Sequence, residues 1–238
     1  MRIVSLVTQK GGTGKSSLAV SIAVAAQERG LKVALLDLDP QRTTRRWFER
    51  REASTPEVAA LEAQQIPAGL AALEKQGCDL VLIDTAGVDI PAAKTAMIAS
   101  HLCLIPARPS VADIEAAQPT VQALLRLGRP FASVLNCCPA GRSVRTLDAF
   151  RALQLMGAVS SVSVATRTDH VDALAQGLGV TERDPSGKAA AEIRDLVQWL
   201  LIRLEGTADG KEDLVAGGDH GGSSVHRSAR PRRTAAAA

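Results

Sequence analysis

The octapeptide Gln9-Lys10-Gly11-Gly12-Thr13-Gly14-Lys15-Ser16 narrows the fold more than any other feature of this 238-residue chain. It follows a short apolar run over 3–8 and precedes a stretch of helical periodicity over 16–29. Gly11, Gly12 and Gly14 lack the Cβ atoms that keep a backbone from wrapping a ligand, and successive N–H groups in such a turn converge on one centre. The helix that follows adds the positive end of its dipole. Strand, glycine turn and helix N-terminus in that order form a cradle for phosphate. Lys15 is placed to reach the β- and γ-phosphates of a nucleotide, and Ser16 to offer its hydroxyl to Mg2+. Thr13 and Ser17 complete the set of expected nucleotide contacts.

The spacing departs from the ordinary phosphate loop, G-x-x-x-x-G-K-[ST], which wants glycine where this chain has Gln9. Lys10 instead stands ahead of the glycine pair, giving the deviant form K-G-G-x-G-K-[ST]. One lysine already serves the loop from within. The second is either a surface lysine or a cation that points away from its own nucleotide.

Apolar runs over 3–8, 32–37, 80–84, 102–106, 131–136 and 158–165 alternate with helical patterns over 16–29, 43–52, 68–76, 111–127, 143–155 and 188–204. Such alternation predicts an α/β fold, a doubly wound and mostly parallel sheet with helices on both faces. Ligands of these sheets sit beyond the carboxyl ends of the strands. The polar motifs fall there: Lys10 to Ser16 after the first run, Asp39 after the second, Asp84 at the end of the third, Pro106 to Ser110 after the fourth. Asp37 and Asp84 join Ser16 as candidate Mg2+ ligands. Asp39 falls in the loop after the second run, near where a γ-phosphate would lie, and it can also be read as a helix cap in Asp39-Pro40.

Hydrophobic residues make up 46% of the chain and aromatic residues only 2%, with no tyrosine, so the core must be built from Ala, Val, Leu and Ile. The net charge of +3 permits a nucleic-acid partner without requiring one. Cys78, Cys103, Cys137 and Cys138 include no C-x-x-C pair and read as small buried hydrophobes in a reducing cytosol. No run approaches the roughly 20 apolar residues of a membrane span, so a cytoplasmic protein without a membrane partner is expected. Residues 1–205 read as one ATPase domain. Residues 206–238, rich in Gly, Ser, Ala and Arg, read as a disordered tail.

Taken together, these motifs resemble the ParA/MinD family of deviant Walker A ATPases, in particular its small ParA-type partition proteins. The resemblance rests on the phosphate loop; on Asp37-Leu38-Asp39-Pro40-Gln41 with Thr43 and Trp47, similar to the first switch; and on Leu80 to Gly87, similar to Walker B and the second switch. It rests also on Ile105-Pro106-Ala107-Arg108-Pro109-Ser110 with Asp113, and on Gly177 to Glu182. It implies a P-loop NTPase fold that uses ATP and Mg2+. Lys10, Lys15 and Asp39 would serve catalysis, and Pro106 and Pro109 would frame the adenine. It further implies an ATP-dependent homodimer that binds DNA without sequence preference, is nucleoid-associated, and is stimulated by a ParB- or ParG-like partner on a plasmid, chromosome or other cargo. Arg167 matches an arginine of the small ParA proteins, and Arg142 and Arg145 are further candidates for DNA contact. Alternative functions within this class are a MinD-like membrane-surface regulator and a metabolic P-loop ATPase. The chain departs from the larger members after Gln41, where Arg42 stands in place of their glycine.

Overall fold

The computed structural model describes residues 1–87 and 91–208. Among them, six strands form one sheet: β1 (Arg2–Leu6), β2 (Val33–Asp37), β3 (Glu57–Ala60), β4 (Leu80–Asp84), β5 (Leu102–Ala107) and β6 (Phe131–Leu135). Their order is β3-β2-β4-β1-β5-β6, and every pairing is parallel. The doubly wound α/β architecture expected from the sequence is the one observed. The register aligns Asp84 with Leu6 on one side and with Asp37 on the other, so three strands end level and deliver their polar residues to one edge.

The strands are buried on both faces, which is why they read as continuous apolar runs. Along β1, Val4 and Leu6 point into one core, while Ile3 points into another on the opposite face. The first face is covered by α1 (Lys15–Gln27), α2 (Thr43–Glu49), α7 (Thr168–Ala175), α8 (Val180–Arg183) and α9 (Lys188–Ala208). The second is covered by α3 (Ile66–Lys75), α4 (Pro91–Ala99), α5 (Val111–Leu127) and α6 (Val144–Gln154). Alanines of α1 pack at essentially zero exposure, which lets the helix lie close on β1 and β4.

Four elements escape the sequence pattern: β3, α4, α7 and α8. One expected element does not form. The run 158–165 makes only isolated bridges, Ser133 with Val159 and Cys138 with Ala165. The Ser160 hydroxyl accepts from the Val162 N–H, turning the chain locally and breaking the ladder. Helix α9 continues past the expected boundary at 205, and the tail predicted beyond it lies, from 209 onward, outside the described residues.

Candidate nucleotide and magnesium site

The phosphate loop leaves β1 and turns through two glycines in the left-handed region, Gly12 at φ 73° and Gly14 at φ 87°. Gly14 is required twice over, because a Cβ there would lie 2.2 Å from Asn136 Nδ2. That amide donates to the Thr13 carbonyl at 2.8 Å and so pins the loop to the end of β6. Gly14 is also the N-cap of α1, and no side chain caps that helix end. Its first-turn N–H groups are therefore available to an anion.

The two lysines diverge. Lys15 is buried, and its Nζ donates to the Lys10 carbonyl at 3.3 Å. Burial lowers its pKa, opposed by the nearby carboxylates of Asp84 and Asp39. Lys10 instead leans across the rim to Asp113, with Nζ 2.7 Å from Oδ2. Asp113 sits in the first turn of α5, where its N–H is capped by Ser110 and its carboxylate also receives the Ser110 hydroxyl and Arg108 Nε. Although burial opposes it, hydrogen bonds from Lys10, Ser110 and Arg108 bring its pKa below the ordinary value.

Asp84 is fully buried, and burial pushes its pKa up to about 7 against the pull of the Ser16 and Thr44 hydroxyls. Thr44 Oγ1 donates to Asp84 Oδ2 at 2.8 Å, while Oδ1 has no hydrogen-bond partner. A buried carboxylate oxygen left unpaired beside a serine hydroxyl is a hard-oxygen arrangement that suits Mg2+. Among the described residues no cluster of three or more His, Cys, Asp or Glu could hold a metal alone.

The other Mg2+ candidate, Asp37, is occupied differently. Its Oδ1 accepts the Asp39 N–H at 3.0 Å and its Oδ2 accepts the Arg45 N–H at 2.8 Å. It is Asp37, reaching from the strand, that caps the first turn of α2. Asp39 does not: its carboxylate accepts the Gln41 N–H at 2.9 Å, and the helix begins only at Thr43. Asp39 is left partly exposed beside the cradle, within electrostatic reach of Lys15 and Asp84. The departure at Arg42 has a backbone reason, since this residue takes φ 54°, where glycine is the easy choice.

Pro106 lies inside β5. The β1 pairing of β5 stops at Leu104, so the missing Pro106 N–H falls beyond the end of the neighbouring strand. Pro109 is buried in the turn between Arg108 and Ser110, the two residues that grip Asp113. Arg167 is ion-paired with Glu192 at 2.6 Å, and Glu192 also accepts the Ala165 N–H. Arg142 and Arg145 are exposed at the start of α6. The phosphate-loop residues, Asp39 and Asp84 thus converge, while the three arginines do not join them. Sequence reasoning missed Thr44 and Asn136. A lone threonine in a helix and a lone asparagine after a strand carry no signal until the fold brings them to the loop.

A family model described as the CobQ/CobB/MinD/ParA nucleotide binding domain matches residues 4–180. The chain belongs to this family. Among curated relatives, it is 32% identical to protein virC1 of Rhizobium radiobacter over 53% of this chain and 58% of that one. It is 27% identical to protein IncC of Escherichia coli over 86% of this chain and 70% of that one. The chain thus spans little more than half the length of the virC1 relatives. Among solved structures, the cell division ATPase MinD of Pyrococcus furiosus matches with a TM-score of 0.69 at 21% identity, over 85% of this chain and 99% of that one. The septum site-determining protein MinD of Pyrococcus horikoshii, complexed with Mg-ADP, gives 0.66 at 20%, over 84% and 95%. At these identities the likeness is one of fold.

Proposed function

We propose that this chain is an ATP-hydrolysing switch of the ParA type, which closes into a dimer around ATP, binds DNA without sequence preference and partitions or positions a cargo. The observation that carries this reading is the divergence of the two lysines. Lys15 faces the cradle of its own chain. Lys10 is anchored on the rim by Asp113 and is 28% exposed, so it can be offered to a second cradle. Two phosphate-laden sites repel each other unless each receives a cation from the other.

Magnesium, when bound with the nucleotide, would neutralise charge building on the β- and γ-phosphate oxygens. Ser16 and Asp84 would hold it, and Thr44 orients Asp84 from the switch helix α2. Asp39, held by Asp37 through the backbone and left partly exposed, would align the attacking water. Lys15 and the α1 N-terminus would hold the transferring group. Because Asp37 fixes both Asp39 and the start of α2, movement of α2 and the position of Asp39 are mechanically joined.

For DNA contact, Arg142 and Arg145 are available as they stand, whereas Arg167 would first have to leave Glu192. A ParB- or ParG-like partner would accelerate hydrolysis. The relatives named chromosome partitioning protein ParA of Caulobacter vibrioides and maintenance of carboxysome distribution protein A of Gloeobacter kilaueensis support a partition or positioning role.

The test is retention of the purified chain on DNA of arbitrary sequence with ATP, with ADP and without nucleotide, across a salt series. Retention only with ATP, falling steeply with salt and lost in Lys10→Ala, is the expected result. Retention independent of nucleotide, or none at any salt, would overturn the reading.

A further inference from the structure

A cavity of about 370 Å3 lies between α4 and α5, on the face of the sheet opposite α1. It adjoins the start of the phosphate loop at Gln9, but none of residues 10–16 lines it. Its upper wall is the backbone leaving β1 and β4, at Thr8, Gln9, Thr85 and Ala86. Its sides are apolar, from Val7, Ala93, Met97 and Leu127.

Three features of the lining point to a ligand. Thr120 is 1% exposed, and its Oγ1 has no hydrogen-bond partner, although a helical threonine can usually turn its hydroxyl to the carbonyl one turn back. A buried hydroxyl left unpaired is costly, so it calls for an occupant. The lining also carries two cations, Lys94 and Arg126, and neither makes an ion pair among the described residues. Among the described residues, no carboxylate lines the cavity with them. Finally, the volume is far beyond the roughly 30 Å3 of one water and reaches the lower range of small-molecule sites.

Largely apolar sides, an upper wall with Thr8, Gln9 and Thr85, one unpaired hydroxyl and two cations without an ion pair among the described residues suit a small amphipathic anion. We propose that the cavity between α4 and α5 binds a small molecule with an apolar body and a single carboxylate-like head, the head meeting Lys94 and Arg126 and the body lying against Met97 and Leu127. The site stands on its own geometry and does not depend on the dimer or DNA reading above.

Octanoate is a suitable probe, titrated into the full chain by calorimetry and by amide chemical shifts. The expected result is one-to-one binding with a dissociation constant below about 1 mM, reasonable for a ligand of this size. Octanol, with the same body and no charge, and inorganic phosphate, with charge and no body, should each bind at least about tenfold weaker. Ala123→Trp, which fills the cavity from α5, should abolish octanoate binding. Should that variant fail to fold, Lys94→Glu with Arg126→Glu changes only exposed side chains and should reverse the preference, so that octylammonium binds and octanoate does not. Octanol binding as well as octanoate, octanoate binding unchanged by the filled or charge-reversed cavity, or no binding up to about 10 mM would each overturn the proposal.

Discussion

The two faces of the sheet are built to different standards. On the α1 face, one continuous core runs from Val4 to Leu204 and takes in Trp47, Ala173 and Val180. Polar staples cross it. Trp47 Nε1 donates to the Leu178 carbonyl at 3.1 Å, Arg51 forms a two-pronged pair with Glu182 and also donates to the Gly177 carbonyl, and Arg50 reaches the Leu174 carbonyl. The α4–α5 face holds two separate cores, one around Ile105 and Leu124 and one around Val81 and Ile66, with the cavity near their junction. The difference teaches where motion is cheap. Helix α2, whose Thr44 donates to Asp84, is tied with the residues after it to the 174–182 segment, so its movement must carry that segment with it. Helix α4 is backed by a void and can shift without opening new space.

Single truncations on the two faces give the largest test. Trp47→Ala should cost about 3–5 kcal/mol in denaturant unfolding, because the side chain is fully buried and its N–H partner would be stranded. Met97→Ala, beside the existing cavity, should cost about 2 kcal/mol, the low end for its class. Equal costs would break the comparison.

The join between the faces is Asp84, on a central strand with α2 hydrogen-bonded to it. Its pKa is raised by burial to about 7 in the folded chain, above the ordinary aspartate value of 3.8. A raised carboxyl means that the native state keeps a proton which the unfolded chain has lost between those pH values. Stability from this group is therefore full at low pH and declines as pH rises through the window, by at most a few kcal/mol. Asp84→Asn should flatten that decline relative to the parent, read as the difference between two pH–stability curves. A parallel decline in both would remove Asp84 as its source.

The sheet was legible because parallel strands buried on both sides leave unbroken apolar runs, and because the glycine loop fixes strand and helix around it. Strand β3 was not legible, being four residues at the edge with Glu57 and Ala59 exposed. Helix α4, alanine-rich and without a strong polar face, gave no period to read. At the site, the meeting of the phosphate loop with Asp39 and Asp84 was legible, because each follows or ends an apolar run. The bond from the Arg45 N–H to Asp37 was not, since capping a helix eight residues on depends on where the chain returns. The partner of Lys10 was likewise invisible as such, being 103 positions away.

The staples on the α1 face come next. Arg51 is 3% exposed in its side chain while Glu182 is 31% exposed, so the pair is half in solvent. Arg51→Ala should cost about 2 kcal/mol, for the lost charged hydrogen bonds to Glu182 and the Gly177 carbonyl. Arg51→Lys should recover only part of it, because an ammonium cannot reproduce the two-pronged geometry. Full recovery would mean that charge alone, and not the fork, holds α2 to the 174–182 segment.

The smallest effect concerns the rim. Lys10 is partly exposed, so its pair with Asp113 contributes on the order of 1 kcal/mol or less to stability. The same pair sets how readily Lys10 leaves its own chain. Asp113→Asn keeps the Ser110 cap geometry but removes the charge that anchors Lys10. If Lys10 serves a facing subunit, the variant should dimerise with ATP at severalfold lower protein concentration in sedimentation velocity while melting within about 1 kcal/mol of the parent. The two readouts separate the roles: lost stability with unchanged dimerisation would make Asp113 a mere support for the Ser110 cap of α5. Easier dimerisation at nearly unchanged stability would make it the group that ATP and a second chain must outcompete.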